Sequence, residues 1–185
     1  MNTPNKITVF RMFIAPLFLV IYFLNIEHKM LISAFIFAIG AVTDAIDGHL
    51  ARKHNIVTNF GKFLDPIADK MLVTAAFLAL MKDGLCNIWI VMLMITREFA
   101  ITSVRLIAAS QGVVIPANIG GKIKTVFQMV SLIAIMLIGE ISTVFSLNIP
   151  LAIVSNVLLG ITAVISVVSG MVYLTDSRKV IDFHN

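Results

Sequence analysis

Charged residues are scarce in this chain, and their scarcity excludes most soluble folds. Asp, Glu, Lys and Arg make up 13% of the 185 residues, whereas hydrophobic residues make up 59%. Soluble domains carry about 25% charged and about 45–50% apolar residues. So few charges cannot cover the surface of a soluble domain, and a chain this apolar does not stay disordered. The sequence predicts an integral membrane protein.

Cysteine and clustered basic residues are also lacking, which excludes further classes of protein. The one cysteine, Cys86, rules out a disulfide framework and a thiolate metal cluster. The formal net charge is +4, but the basic residues are too scattered to line a nucleic-acid groove, so no nucleic-acid partner is expected. No small-residue cleavage site follows the first apolar segment, which is therefore expected to remain in the mature chain.

Long apolar segments are abundant, and each is close to the length of a membrane span. A helix needs about 20 apolar residues to cross the hydrocarbon of a bilayer. Six segments meet or approach this length, at 7–25, 31–53, 66–81, 87–109, 122–139 and 151–174. Turn residues separate several of them, at Asp83-Gly84, Gly120-Gly121 and 148–150. We predict an all-α integral membrane fold in which residues 1–185 form one domain of six transmembrane helices.

The distribution of Lys and Arg predicts how this domain is oriented. With a cytoplasmic N-terminus, twelve of the fourteen basic residues fall on the cytoplasmic side, and only Lys29 and Lys82 fall on the other. Cytoplasmic loops of membrane proteins are enriched in these residues. Both termini are therefore expected in the cytoplasm, and the expected location is the plasma membrane.

Four aspartates, Asp44, Asp47, Asp65 and Asp69, lie within 26 residues of otherwise apolar sequence. Carboxylates near a membrane are costly to hold, which makes them functional candidates. On helices they form two stripes, and the first continues through Gly48, Ala51 and Arg52. Pro66 is expected to start or kink the third helix, with Asp65 as a candidate N-cap, and a loop of about a dozen residues is expected to let the two stripes face each other.

Carboxylate oxygens in this number suit hard divalent cations such as Mg²⁺ or Mn²⁺. Two such ions would neutralise the aspartates and clamp a diphosphate for in-line displacement. Gly48 and Ala51 leave room for a bulky substrate against the helix, and Arg52 can fork onto phosphate oxygens. The alternative is that each aspartate is a separate helix cap or salt bridge, for example with Lys62 or Lys70.

The aspartate pattern resembles the motif of a known family. The motif D-x-x-D-G-x-x-A-R-x8-G-x-x-x-D-x-x-x-D is matched at all eight fixed positions, Asp44, Asp47, Gly48, Ala51, Arg52, Gly61, Asp65 and Asp69. It is typical of the CDP-alcohol phosphotransferases, integral membrane enzymes of phospholipid synthesis. The resemblance implies that an alcohol hydroxyl displaces CMP from a CDP-linked lipid in the presence of Mg²⁺ or Mn²⁺. It also implies that the first three aspartates bind metal, that Asp69 contacts metal and acts as general base, and that the chain forms a homodimer.

Three other segments, 4–11, 96–106 and 121–129, resemble the phosphatidylglycerophosphate synthases of that family. That narrower resemblance implies CDP-diacylglycerol as donor and glycerol 3-phosphate as acceptor. Four cations, Arg97, Arg105, Lys122 and Lys124, would hold the acceptor phosphate around one cytoplasmic cavity, and Glu98 is a candidate bridge to either arginine. The residues expected to bind CDP-diacylglycerol are Gly48, Ala51, Arg52, Gly61, Asn5 and Thr8. Arg11 either touches the CDP part or anchors its helix at the membrane interface.

Other functions remain open at this point. A cardiolipin synthase of the same family, with phosphatidylglycerol as acceptor, also needs a phosphate pocket. A prenyltransferase would carry two acidic motifs, and a divalent-cation transporter would place its acids along a path, often within inverted repeats. The last two spans are expected to add only apolar bulk, with Gly160, Ala163 and Gly170 permitting close helix packing.

Overall fold

The computed structural model describes residues 3–54, 59–111 and 119–177, with side chains described at 9–43, 67–68, 70–111 and 119–177. Within these residues the secondary structure consists of six α-helices and no strand. The helices are α1 (Thr3–Phe23), α2 (Lys29–His54), α3 (Asn59–Lys82), α4 (Ile88–Ser110), α5 (Ile119–Val144) and α6 (Leu151–Ser177). The prediction of an all-α fold is confirmed.

The helix ends follow local sequence chemistry. Gly84 ends α3 with a positive φ of 72°, and the amides of Gly84 and Leu85 donate to the carbonyls of Met81 and Leu80. This pair of bonds is a Schellman motif, which uses glycine because the left-handed conformation carries no Cβ penalty there. The side chain of Asn87 then caps α4 by accepting a hydrogen bond from the amide of Trp89 at 2.9 Å. The turn predicted at Asp83-Gly84 is thereby confirmed.

Two predicted boundaries are wrong, both because a helix-breaking residue was given too much weight. The helix α3 begins at Asn59, so Pro66 lies inside it and Asp65 is not its N-cap. A proline inside a helix costs about 3 kcal/mol, and the extensive packing of α3 against α1 offsets that cost. The predicted loop of about a dozen residues is shorter in the structure, because α2 continues to His54 and α3 already begins at Asn59. Gly120 and Gly121 lie in the first turn of α5 and form no separate turn.

The helices pack as a bundle around an apolar core. The helix α1 packs on α2 and α3, α5 packs on α6 and α2, and α4 packs mainly on α6. The largest fully buried side chains of this core include Phe18, Tyr22, Phe37, Phe77, Met94 and Leu132. Gly40 of α2 allows three helices to meet closely, because a Cβ there would overlap Leu72 of α3 and press on Ile14 of α1.

Large apolar side chains are exposed on every helix of the bundle. Examples are Phe13 on α1, Phe35 on α2, Leu78 on α3, Trp89 on α4, Ile119 on α5 and Val164 on α6. An exposed apolar surface of this extent is unusual in water but natural in lipid. By length and hydropathy, α5 and α6 are able to span a membrane, and α1 and α2 contain shorter apolar stretches at Val9–Phe23 and Lys29–Thr43.

Candidate active site

The four motif aspartates lie on two consecutive helices, near the connection between them. Asp44 and Asp47 belong to the C-terminal part of α2, and Asp65 and Asp69 belong to the N-terminal half of α3. The two helices contact each other. The four side chains lie outside the described ones, as do those of Asn5, Thr8, Gly48, Ala51, Arg52 and Gly61. Among the side chains described, no group of three His, Cys, Asp or Glu could hold a metal ion, so the metal and donor ligands stay predictions.

Arg97 of α4 is held firmly against α6. Its Nε donates to the carbonyl oxygen of Ser166 at 3.1 Å, and its Nη2 donates to Oγ of Ser169 at 3.1 Å. The chain passes so close to Gly170 that a Cβ there would lie 3.3 Å from Nε. Hydrogen bonds with a charged donor are stronger than neutral ones. The guanidinium of Arg97 is therefore fixed by α6 before any ligand binds.

Glu98 joins Arg97 to the buried Lys124 of α5. Its Oε1 accepts from Nζ of Lys124 and lies 3.4 Å from Nη1 of Arg97. Only 3% of the Lys124 side chain is exposed, against 28% of the Glu98 side chain. The predicted bridge from Glu98 to an arginine is present, and it extends to a lysine that the sequence did not connect to it.

Arg105 and Lys122 are placed differently from these three residues. Nε of Arg105 donates to the hydroxyl of Tyr173 at 3.2 Å, and its guanidinium lies 5.3 Å from the centre of the tyrosine ring. Arg97 and Arg105 thus share the face of α4 that meets α6, as their spacing predicted. Lys122 is exposed, and it lies two residues before the buried Lys124, on a nearly opposite face of α5. The structure therefore brings Arg97 and Lys124 together at Glu98, with Lys122 outside this group.

Arg11 lies in the interior of the bundle. Only 3% of its surface is exposed, although it lies in the third turn of α1, where interfacial side chains usually reach out to lipid headgroups. A buried guanidinium needs partners inside the protein. Of the two alternatives for Arg11, an anchor at the membrane interface is therefore not supported.

Two neighbouring cavities lie on the side of α4 that carries Glu98, whereas Arg97 lines a separate cavity between α4 and α6. The larger of the two neighbours, of about 600 Å³, lies between α1, α3 and α4 and is lined mostly by apolar side chains. The smaller one, of about 50 Å³, lies between α3, α4 and α5 and is lined by both Glu98 and Lys124. Lys70, Thr74 and Phe99 line both cavities, so the two are neighbours across a shared wall. An apolar space thus lies beside a small space with charged walls.

The sequence analysis did not identify several buried polar residues of this region. The helix α6 was expected to add only apolar bulk, but its buried face carries Ser155, Thr162, Ser166, Ser169, Tyr173 and Ser177. These residues are spaced three, four or seven apart, which is the period of one helix face, and that spacing is the signal that could have revealed them. Gln128 of α5 is likewise buried and lines the smaller cavity.

Comparison with known proteins shows the family. A sequence profile of the family described as CDP-alcohol phosphatidyltransferase matches residues 1–168. A Bacillus subtilis protein named CDP-diacylglycerol–glycerol-3-phosphate 3-phosphatidyltransferase is 38% identical over 200 aligned positions, covering 100% of this chain and 99% of its own. A Rickettsia bellii protein of the same name is 32% identical over 96% of both chains.

Two Mycobacterium tuberculosis proteins extend the comparison. A probable phosphatidylglycerophosphate synthase is 35% identical over 96% of this chain and 82% of its own. The crystal structure of a phosphatidylinositol phosphate synthase superposes with a TM-score of 0.64, covering 94% of this chain and 88% of that one at 18% identity. The second match supports the fold alone.

The aspartate motif thus predicted the family correctly, and the cation-transporter and prenyltransferase alternatives find no support. Divalent metal ions are generally required in this family, although no metal site falls within the side chains described. The chain belongs to the CDP-alcohol phosphatidyltransferase family of membrane enzymes.

Proposed function

We propose that this chain transfers the phosphatidyl group from CDP-diacylglycerol to glycerol 3-phosphate, giving phosphatidylglycerophosphate and CMP. The observation that carries the proposal is the similarity to relatives named for this activity over nearly the whole chain. The cavities and the cationic cluster, which consists of Arg97, Arg105 and Lys124, suit a reaction between one lipid and one water-soluble anion.

The larger cavity suits the lipid part of the donor. Its walls come from α1, α3 and α4 and are mostly apolar, which favours acyl chains over water. Ile67 and Lys70 of the cavity wall flank Asp69 in sequence on α3. An acyl chain in this cavity would therefore place the diphosphate of CDP-diacylglycerol near the α3 aspartates.

The cationic cluster suits the phosphate of the acceptor. A phosphomonoester carries close to two negative charges at neutral pH, and an arginine fork is well matched to its oxygens. Arg97 and Lys124 would bind this phosphate directly, and Arg105 would bind it from about two turns further along α4. Lys122, which is exposed, would attract the anion to the site. An uncharged acceptor would not need these cations.

The aspartates are assigned to the metal and to the proton. Asp44, Asp47, Asp65 and Asp69 supply the oxygen ligands that Mg²⁺ and Mn²⁺ prefer, and we propose that they hold two ions. Such ions polarise a diphosphate and neutralise its charge. The acceptor hydroxyl attacks the phosphorus next to the diacylglycerol oxygen, CMP leaves, and Asp69 accepts the hydroxyl proton. Asn5, Thr8, Gly48, Ala51, Arg52 and Gly61 are assigned to CDP-diacylglycerol.

The setting of the reaction is the cytoplasmic side of the plasma membrane. We propose that all six helices cross the bilayer and that both termini face the cytoplasm, which agrees with the exposed apolar side chains on every helix. The distribution of Lys and Arg supports the same orientation. The homodimer implied by the family resemblance is part of this proposal.

Acceptor conversion by the purified protein tests the activity. The detergent-solubilised chain is incubated with CDP-diacylglycerol, Mn²⁺ and one radiolabelled acceptor at a time: glycerol 3-phosphate, phosphatidylglycerol, inositol phosphate or serine. We expect product and CMP only with glycerol 3-phosphate, and none from the Asp47→Asn variant, which loses a metal ligand. Product from phosphatidylglycerol alone would identify a cardiolipin synthase and refute the proposal. Full activity of Asp47→Asn at ordinary Mg²⁺ would refute the metal assignment.

A further inference from the structure

Among the side chains that the structure describes, Glu98 is the one acidic group in contact with Arg97 and Lys124, and the assignments above give it no role. The described side chains around the smaller cavity include two lysines, Lys70 and Lys124, and Arg97 lies beside it. Glu98 offsets part of the positive charge that Lys124 and Arg97 bring to this group.

Lys124 and Arg97 depend on Glu98 to different degrees. Arg97 is fixed to α6 by two hydrogen bonds of 3.1 Å, independently of Glu98. Lys124 has a flexible four-carbon stem, and its ammonium is almost completely buried in direct contact with Oε1 of Glu98. A buried ammonium is stable only beside an opposite charge. The contact with Glu98 therefore helps to hold the ammonium of Lys124 in place.

Glu98 also lies where α4 and α5 meet the middle of α3. Its neighbours across the smaller cavity are Thr74 of α3 and Gln128 of α5. A carboxylate at this place orients one cation from α5 relative to a second cation fixed by α6. The acceptor phosphate would meet two cations whose separation is set before it binds, which reduces the entropy that binding must offset.

We propose that Glu98 is a positioning residue for the acceptor, which holds the ammonium of Lys124 in place for the phosphate of glycerol 3-phosphate. The proposal rests on the function proposed above. It assigns Glu98 no contact with the reacting atoms, so its loss should weaken acceptor binding and leave the chemical step intact.

Steady-state kinetics of Glu98→Gln provide the first test. We expect KM for glycerol 3-phosphate to rise at least about tenfold, with kcat and KM for CDP-diacylglycerol within about twofold of wild type. Glu98→Asp keeps the negative charge but moves it further from Lys124 by about one carbon–carbon bond. Its KM for glycerol 3-phosphate should lie between the values of wild type and Glu98→Gln. The matched control is Glu140→Gln, which removes a carboxylate paired with His28 at the opposite end of the bundle. It should leave both KM values unchanged.

The outcomes separate this proposal from the proposed function. If wild type does not convert glycerol 3-phosphate, the function fails, and the variants are then compared on the acceptor that wild type does convert. An unchanged acceptor KM in Glu98→Gln, an equal rise in both KM values, or a loss confined to kcat would overturn the positioning role. If Glu98→Gln does not fold, Glu98→Asp decides: an acceptor KM equal to that of wild type overturns the proposal.

A double-mutant cycle tests whether Glu98 acts through Lys124. Lys124→Gln should raise the acceptor KM on its own, and adding Glu98→Gln should raise it no further, because the carboxylate then has no ammonium to position. Multiplicative effects of the two substitutions would show that Glu98 acts independently of Lys124, and would overturn the proposal.

Discussion

Gly170 and Gly160 of α6 form a natural pair for testing how tightly Arg97 is held. A Cβ added at Gly170 would lie 3.3 Å from Nε and 3.4 Å from Cγ of Arg97. A Cβ added at Gly160 would meet nothing within 4 Å. The two substitutions to alanine therefore change the same helix in the same way, and only one of them presses on Arg97.

The expected magnitudes follow from these distances. Glycine inside a helix is less stable than alanine by about 0.5–1 kcal/mol, so Gly160→Ala should stabilise the protein by that amount. In Gly170→Ala the guanidinium must shift by a few tenths of an ångström, which stretches its bonds of 3.1 Å to Ser166 and Ser169. Weakening them should cost about 1–2 kcal/mol, more than the helix gains. Gly170→Ala is therefore expected to be less stable than Gly160→Ala by about 1–2 kcal/mol.

Two measurements check this prediction. Thermal unfolding in one detergent should place the Tm of Gly160→Ala above wild type and that of Gly170→Ala slightly below wild type. The Tm values of the two variants should differ by several degrees, at about 2–4 °C per kcal/mol for a chain of this size. If Arg97 binds the acceptor phosphate as proposed, the KM for glycerol 3-phosphate should rise about two- to tenfold in Gly170→Ala alone, because the substitution displaces the guanidinium. Equal Tm gains in both variants with an unchanged KM would refute the arrangement of Arg97 described here.

Three further predictions concern other contacts of the bundle. Tyr173→Phe removes the hydroxyl that accepts a hydrogen bond from Nε of Arg105. It should raise the KM for glycerol 3-phosphate about two- to tenfold and leave the KM for CDP-diacylglycerol unchanged. Equal effects on both KM values would indicate a structural role. Burial raises the pKa of the Cys86 thiol from 9.0 to about 11. Its alkylation by iodoacetamide at pH 8 should therefore be about 100-fold slower than that of an unburied thiol of pKa 9.0, and about tenfold faster for each pH unit up to pH 10. An alkylation rate equal to that of a free thiol would contradict this prediction. Glu140→Gln weakens a 2.5 Å contact with His28, so it should lower the free energy of unfolding by about 1 kcal/mol, seen as a fall in Tm, whereas an unchanged Tm would show that this pair adds nothing.

The helices were predictable from the sequence because a membrane span needs about 20 apolar residues, and apolar segments close to that length stand out in this chain. Five of the six predicted segments lie within about five residues of the observed helix ends, and the exception is α3, where Pro66 does not begin the helix. Local signals fail at such a place because the cost of one proline is small beside the tertiary packing of a long helix.

The candidate site was predictable in part, and the missed part lies between helices. The spacing of Arg97 and Arg105 correctly indicated one shared face of α4, because that relation is internal to one helix. The contact of Lys124 with Glu98 joins residues 26 positions apart on different helices, and the contacts of Arg97 with α6 join residues 69 and 72 apart. Such pairs depend on how the helices rotate against each other, which periodicity within one helix does not specify.

The thin contact between α3 and α4 has a consequence for how reaction rates should be measured. The larger cavity lies at this seam, with α1 as its third wall, and all three helices expose apolar side chains. A donor that enters this cavity from the surrounding lipid is encountered at its concentration in that phase. The enzyme is therefore saturated by the mole fraction of CDP-diacylglycerol in the micelle or bilayer. Adding inert detergent at constant total donor should therefore slow turnover by surface dilution, while the dependence on glycerol 3-phosphate continues to follow its bulk molarity.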